Sequence, residues 1–449
     1  MSISSNNEIQ GLTVHHQQGL RWSVPILLTG EGASQLGDNL FMLAADWYIA
    51  KLTQNAAIIG IFSALFASTS LIMVFTGGVA DRHRRMPLML AVDAVQTAIM
   101  VAATFLYAAI PPTVVGLASI VLLTRLVGMF FMPAVNALIP QLADDDSLER
   151  VNGMYQCVSM SMEMAGTLIG GAIVALLPLA AFTAIDALTF LASFACVGVL
   201  MRLHVETYEP DEDDDAHGWR QGIDYIRGNS LMHGVIMLAL VVNFALGPVM
   251  SLDVLWVQQV LHASAFVYSS IQIVLMVGVI LGNVAVFALQ HAPFKAKLII
   301  PLLVMAGSIA TLALFPSVWL TLAMILVLGF AAGIVNVTVS TTVQRFTPEH
   351  LLGRVNGALL TGTQAALPIG MALGGVIAQH VGVANVFLGG GAIAIIAALV
   401  AATRPWNVPE EETEDDDEPG ESEGTETAET LATAESEAVD AAQDTVPNN

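Results

Sequence analysis

Residues 148–171, LERVNGMYQCVSMSMEMAGTLIGG, recur without gaps at residues 352–375, LGRVNGALLTGTQAALPIGMALGG. The offset between the two copies is 204 positions throughout. Eight residues match, namely Leu148, Arg150, Val151, Asn152, Gly153, Gly166, Gly170 and Gly171, which recur as Leu352, Arg354, Val355, Asn356, Gly357, Gly370, Gly374 and Gly375. Both copies open a long apolar stretch in the same direction. The chain therefore contains two related halves with the same orientation.

Apolar stretches of about 20 residues predict membrane-spanning helices. Twelve such stretches lie near residues 23–49, 56–80, 87–110, 114–139, 150–177, 180–202, 232–258, 266–290, 297–315, 317–341, 354–380 and 383–404. The chain is 55% hydrophobic and 12% charged, with a mean hydropathy of +0.71. These values exclude an ordinary soluble domain, in which about a quarter of residues are charged. We predict an all-α polytopic membrane protein of twelve helices in two six-helix halves.

The positions of the Lys and Arg residues predict the orientation of these spans. If the N-terminus is cytoplasmic, 13 of the 15 basic residues lie at the cytoplasmic face, as the positive-inside rule expects. They are Arg21, Arg82, Arg84, Arg85, Arg150, Arg202, Arg220, Arg227, Lys295, Lys297, Arg345, Arg354 and Arg404. Lys51 lies outside and Arg125 lies within a span. The prediction is a multi-pass protein of the cytoplasmic membrane with both termini cytoplasmic.

Five segments follow from this pattern. We predict a cytoplasmic N-terminus at 1–21, a first six-helix bundle at 22–202, a linker at 203–231, a second bundle at 232–404 and a tail at 405–449. The linker contains an amphipathic stretch that favours a helix on the inner surface. The net charge of -23 is concentrated in the acidic run 206–215 and in the tail. The tail lacks any sustained apolar period, which predicts disorder.

Parallel repeats of this kind are a transporter architecture. The repeated glycines let helix backbones approach closely where lipid supplies no hydrophobic drive. Static packing and a sliding contact are both compatible with this pattern.

The second span ends in GGVADRHRRMP at residues 77–87. This stretch resembles the major facilitator superfamily signature GxxxDRxGRR, in which Gly77, Asp81, Arg82 and Arg85 match while Arg84 and Met86 depart. The resemblance implies a latch in which Asp81 accepts hydrogen bonds from the start of the eleventh span and the arginines hold neighbouring carbonyls or acids. A plain positively charged loop is the alternative.

The fourth and fifth spans resemble one particular branch of this superfamily. Leu123 to Gln156 resembles the macrolide efflux and enterobactin exporter branch, through Arg125, Pro133, Ala134, Ala137, Pro140, Leu148 and Asn152. Residues 166–171 are similar to the antiporter motif GPxxGG, with Thr167 in place of its proline. The resemblance implies an exporter, whereas the Thr167 departure weakens the case for antiport.

Charged residues within spans are costly and usually mark a pathway or a pair. Asp38, Arg125 and Glu163 lie near the middle of spans one, four and five, and Glu31 lies two turns before Asp38 on the same helix face. We predict that these four residues form the proton-coupling or substrate cavity. Burial favours a neutral carboxyl and a nearby Arg favours an ionised one, so a cavity that changes could switch an acid. A static pair of Asp38 and Arg125 is the alternative.

Other polar and aromatic residues complete the candidate site. We predict substrate contacts from Phe41, Asn243, Asn336 and Gln364. Asp46 is expected to be a solvated residue at the membrane interface. Asp253 is a weaker candidate towards the outer end of its span.

The sequence contains no nucleotide-binding loop, metal cluster or hydrolytic triad. We therefore expect no enzyme activity, cofactor, metal or nucleic acid, and a monomer whose partners are the lipid bilayer, protons and a small amphipathic substrate. The leading hypothesis is a proton-coupled exporter of compounds such as macrolide-like drugs. The alternatives are an exporter of an endogenous metabolite or siderophore and, third, a sensor or scaffold that does not transport.

Overall fold

The computed structural model describes residues 3–80, 84–143, 145–203 and 219–406, with side chains for 22–71, 84–143, 147–203, 221–348 and 351–406. These residues form fourteen α-helices and contain no strand. The helices are α1 Ile3–Thr53, α2 Ala56–Ala80, α3 Arg85–Ala109, α4 Val114–Gly128, α5 Phe131–Leu142, α6 Asp145–Ile173, α7 Leu179–Leu203, α8 Trp219–Gly228, α9 Ser230–Leu255, α10 Ala265–Ala285, α11 Phe294–Leu314, α12 Val318–Phe346, α13 Glu349–Val381 and α14 Val383–Thr403. The prediction of an all-α membrane fold is confirmed.

Nine helices within the described residues are long and apolar enough to cross a membrane, with α4 and α5 together forming one of them. The other three predicted spans, 23–49, 56–80 and 150–177, are also helical over most of their length, in α1, α2 and α6. The protein is therefore a multi-pass membrane protein. Below, "first half" means residues 22–203 and "second half" means residues 230–403. The predicted boundaries of the five segments stay a prediction.

The predicted fourth span is broken between α4 and α5, at residues 129–130. Pro133 has no backbone N–H, so it cannot bond to the carbonyl of Met129 as a helical residue would. Gly128 immediately precedes the break and lowers the cost of a local change in backbone direction. The kink lies one turn after Arg125, and so it sets where that side chain sits.

The repeated glycines make equivalent contacts in the two halves. A Cβ placed on Gly166 of α6 would lie 2.7 Å from the Leu36 carbonyl oxygen of α1, and Gly370 of α13 abuts the Phe244 backbone of α9 in the same way. The next glycine of each copy faces the same helices, because Gly170 lies against Leu40 of α1 and Gly374 against Pro248 of α9.

The last glycine of each copy faces the opposite half. Gly171 of α6 lies against Ser269 of α10, and Gly375 of α13 lies against Gly60 of α2. A Cβ on Gly375 would lie only 2.7 Å from the Gly60 Cα, so these two helix backbones are in direct contact. The sequence repeat therefore corresponds to a repeated set of helix contacts, two within each half and one between halves.

The linker helix α8 packs on the second half. Tyr225 donates a hydrogen bond to the Phe346 carbonyl oxygen over 2.8 Å, and Gly222 lies against the backbone of Arg354. Ile226 is buried. Part of the apolar face of this amphipathic helix therefore covers the α12–α13 connection, while residues 204–218 lie outside the described part of the chain.

Candidate functional site: two adjoining cavities and a closed end

The first cavity lies within the first half and has a volume of about 370 Å³. We call it the first-half cavity. Its wall includes all four predicted coupling residues, Glu31, Asp38, Arg125 and Glu163. They come from α1, α4 and α6, which explains why residues up to 132 positions apart share one space. Glu31 is buried, Asp38 is half-buried, and Arg125 and Glu163 are exposed to the cavities.

Glu31 is held in place by two hydrogen bonds. Its Oε1 atom accepts one from Gln35 Nε2 over 3.0 Å and one from the Tyr155 hydroxyl over 3.2 Å. Tyr155 is itself buried on α6 and its hydroxyl also lies 3.1 Å from the Met132 sulfur. This cluster ties α1 to α6 at one end of the cavity.

Arg125 stacks on an aromatic ring. Its guanidinium carbon lies 4.4 Å from the centroid of the Phe66 ring of α2, within the range of a cation–π interaction. Among the described side chains it makes no ion pair with Asp38, although both line the same cavity. Arg125 therefore presents its positive charge to both cavities, where it also attracts the Asp38 carboxylate.

The second cavity lies between the halves and has a volume of about 410 Å³. We call it the interhalf cavity. It shares Asn39, Met42, Arg125 and Glu163 with the first-half cavity, so the two spaces adjoin. The second half contributes Met250, Tyr268, Gln272, Ile273, Leu275, Met276 and Val279. One wall is thus charged and the other is mainly apolar, with flexible Met side chains that can adapt to different ligands.

A polar cluster joins the halves at one end of the interhalf cavity. The Tyr268 hydroxyl of α10 donates a hydrogen bond to Asp46 of α1 over 3.3 Å. Gln272 Nε2 donates to Asp253 of α9 over 2.7 Å and contacts the Tyr268 oxygen at 3.3 Å. The Trp47 ring stacks on Tyr268 with centroids 6.3 Å apart. The prediction that Asp46 is a solvated interface residue is wrong, because α10 covers it.

Further contacts close the same end of the bundle. Gln258 donates to the Trp47 carbonyl over 3.2 Å and Gln259 donates to the Gln54 carbonyl over 3.0 Å. The contacts of Gly171 with Ser269 and of Gly375 with Gly60 lie there too. We call this the closed end, and it carries the turns 54–55, 174–178, 261–264 and 382. At the other end, the repeated glycines 153 and 357 have no neighbouring atom within 4 Å of a Cβ position.

The other predicted residues fall into three groups. Phe41 lines the first-half cavity but is only 1% exposed, so its side chain packs within the cavity wall and offers little surface to a ligand. Asn336 and Gln364 are exposed and Asn243 donates its amide to the Ala239 carbonyl, and these three line neither cavity described above. In the proposed latch, Asp81, Arg82 and the side-chain environment of Gly77 lie outside the described residues, whereas Arg85 begins α3 and is half-buried.

Sequence reasoning missed Tyr155 and Tyr268 as site residues. A signal for both exists in the helical period. Tyr155 is two turns before Glu163 on α6, and Tyr268, Gln272 and Met276 recur every four residues along one face of α10. A search for polar residues that share a face with an intramembrane charge would have found the first.

Comparison with known proteins identifies the family. The family described as "transmembrane secretion effector", a branch of the major facilitator superfamily, matches residues 23–437. The chain belongs to this family. The resemblance that rested on residues 77–87 and 123–156 is therefore confirmed, and the fold and family are those of membrane transporters.

Two relatives and one solved structure show how far this likeness extends. The chain is 24% identical over 389 residues to macrolide efflux protein A of Streptococcus pyogenes, covering 83% of this chain and 93% of that protein. Over 107 residues it is 34% identical to a multi-drug resistance efflux pump homologue of Lactococcus lactis, covering 24% of this chain and 26% of that pump. A bacterial homologue of the iron transporter ferroportin, solved in an inward-facing state, has the same fold, with a TM-score of 0.64 and 14% identity over 85% of this chain and 99% of that chain.

Proposed function

We propose that this protein is a proton-coupled exporter of amphipathic, mainly cationic, small molecules in the cytoplasmic membrane. It acts as a monomer by alternating access, with both termini in the cytoplasm. The observation that carries the proposal is the interhalf cavity, in which charged groups of the first half face an apolar, Met-rich wall of the second half. An amphipathic molecule has the two surfaces that such walls can bind.

The closed end supports alternating access. With the orientation predicted from the basic residues, the turns at this end face outward, and the contacts there favour a state that is closed on the outer side. Opening outward requires that the Asp46–Tyr268 hydrogen bond break and that Gly60 and Gly375 separate. Both contacts join the halves, and neither holds one half together internally.

The charge of the cavity supports protons as the coupling ion. Asp38 and Glu163 place two carboxyl groups in a space that also holds Arg125, and Asp38, near the middle of its span, is the group proposed to bind and release the proton. A cationic substrate would compete for the same carboxylates. The likeness to macrolide efflux protein A favours drug-like compounds as substrates.

Accumulation of labelled macrolides and cationic dyes tests the proposal. Cells that express the wild type, Asp38→Asn or the control Glu149→Gln, and cells without the protein, are compared with and without a protonophore. Glu149 is an exposed acid at the start of α6, outside both cavities. The variant Glu149→Gln therefore removes the same charge as Asp38→Asn at a position away from the site. We expect the wild type and Glu149→Gln to lower accumulation and the protonophore and Asp38→Asn to abolish the effect.

One outcome would exclude Asp38 as the coupling residue, and another would contradict the proposed substrate class. Export that persists in Asp38→Asn with its proton dependence intact would remove Asp38 from coupling. Equal accumulation in expressing and non-expressing cells for every compound would reject drug-like substrates and favour the export of an endogenous metabolite.

A further inference from the structure

A groove between α2 and α4 is lined almost wholly by apolar side chains and has a volume of about 350 Å³. Its walls are Ile58, Ile61, Phe62, Leu65 and Phe66 of α2 and Val114, Val115, Ala118, Ser119 and Leu122 of α4. The one polar side chain, Ser119, donates its hydroxyl to the Val115 carbonyl over 2.8 Å. The groove therefore suits a hydrocarbon chain, and these lining residues have no free side-chain donor with which to recognise a polar group.

The packing of α2 explains why the groove exists. The face of α2 that carries Gly60 lies directly against α13 of the second half, and the groove residues lie on the opposite face. Because α2 packs mainly on α13, its contact with α4 of its own half is small. A cleft is left between α2 and α4.

Phe66 separates this groove from the interhalf cavity. Its side chain lines both spaces, it packs on Phe62 with ring centroids 6.3 Å apart, and Arg125 covers its ring at 4.4 Å. A change in the rotamer of this one side chain would join the groove to the cavity. The groove and the candidate substrate site therefore meet at this one ring.

The charges beyond Phe66 favour a cationic head group. The interhalf cavity is lined by the carboxyl groups of Asp46 and Glu163 and by one guanidinium, that of Arg125, which already contacts the ring. We propose that the α2–α4 groove is an apolar subsite for the hydrocarbon arm of a cationic amphiphile whose head lies in the interhalf cavity. The inference rests on the proposed function and adds a place for the apolar part of the substrate.

A series of n-alkyltrimethylammonium ions of increasing chain length tests the subsite. Binding is measured by calorimetry to the full-length protein in lipid nanodiscs, with empty nanodiscs as the blank. Each methylene that the groove removes from water should tighten binding by about fourfold. The variant Ala118→Trp fills the groove from α4, and Ala192→Trp places the same side chain on an exposed face of α7, away from the groove.

We expect the wild type and Ala192→Trp to bind more tightly as the chain lengthens. Ala118→Trp should bind the shortest ion as the wild type does and lose the dependence on chain length. If Ala118→Trp is not folded, as judged by its thermal unfolding, Ser119→Phe fills the same groove with a smaller ring and has the same expected result.

Different failures have different meanings. A dependence on chain length that survives in the folded Ala118→Trp or Ser119→Phe would overturn the subsite and leave the groove to membrane lipid, while the proposed function would stand. No binding of any ion by the wild type would reject cationic amphiphiles as the substrate class of the proposed function, and the subsite with it.

Discussion

Tyr268 of α10 donates a hydrogen bond to Asp46 of α1 over 3.3 Å, and so it joins the second half of the protein to the first. The two residues are 222 positions apart in the chain. Asp253 of α9 lies on the other side of the same cluster, bonded to Gln272. The closed end is thus held by polar contacts that involve two acids, one from each half, next to the cavity that holds Arg125 and Glu163.

Tyr268→Phe should shift the protein away from the state with this end closed. The change removes the hydroxyl and keeps the ring that stacks on Trp47. A net hydrogen bond is worth about 0.5–1.5 kcal/mol, which corresponds to a roughly 2- to 13-fold change in the population ratio. The readout is cross-linking of the cysteine pair Gln54→Cys and Gln259→Cys in a background without Cys157 and Cys196.

The matched control for this experiment is Tyr48→Phe. The Tyr48 hydroxyl bonds the Leu177 carbonyl over 3.3 Å, which is a contact within the first half. The Tyr48→Phe change removes a hydrogen bond of the same kind and leaves the contacts between the halves intact. Equal cross-linking in the wild type, Tyr268→Phe and Tyr48→Phe would show that the Tyr268 hydroxyl does not hold the closed end.

Gly60→Ala and Gly375→Ala should each reduce transport by about tenfold or more. A Cβ on Gly60 would lie 2.6 Å from the Gly375 Cα, and a backbone atom cannot move aside as a side chain can. Because the two glycines contact each other, the double variant should lose less than the sum of the single losses. Transport into inside-out vesicles measures the effect.

Gly198→Ala on α7 is the control for the glycine variants. No atom lies within 4 Å of its Cβ position, so this change should leave transport unchanged and raise helix stability slightly. If Gly60→Ala transported as well as Gly198→Ala, the close approach of α2 and α13 would not be needed for the transport cycle.

Arg125→Lys should lower transport partially, whereas Arg125→Gln should abolish it. Lys keeps the positive charge in both cavities but lacks the planar group that stacks on the Phe66 ring. A cation–π contact is worth about 0.5–2 kcal/mol, so the partial loss should be less than about 30-fold. Initial rates of dye export give the comparison. Transport by Arg125→Gln at the wild-type rate would show that the charge has no role.

Pro133→Ala should stabilise the protein and lower transport. The change supplies a backbone N–H at position 133, so the helix can run unbroken from Val114 to Leu142, which realigns Arg125. Pro140→Ala, on an exposed face of the same helix, should stabilise without this loss. The melting temperature and the export rate are measured together. Wild-type transport in Pro133→Ala would show that the break does not shape the cavity.

Much of the fold could be predicted from the sequence. Hydropathy placed the spans because a helix that crosses the bilayer must bury its own backbone polar groups and present apolar side chains. The repeat at 148–171 and 352–375 predicted related halves, and the structure shows equivalent contacts at Gly166 and Gly370. These properties are local, since they depend on length, period and residue type along one segment.

Part of the site was also accessible from the sequence. An intramembrane charge is costly enough to need a function or a partner, and this argument predicted Asp38, Arg125, Glu31 and Glu163, which the structure brings into one cavity. The same argument could not rank neutral residues. Asn336 and Gln364, chosen because they are polar, line neither cavity.

The sequence by itself therefore determined the helices, their apolar faces and the charged residues of the cavity. The tertiary structure alone decided that Asp46 meets Tyr268, that Gly60 meets Gly375 and that Phe66 stands between a groove and a cavity. The physical reason is that helix rotation and the choice of neighbours are set by the packing of many side chains at once, across segments that lie far apart in the chain.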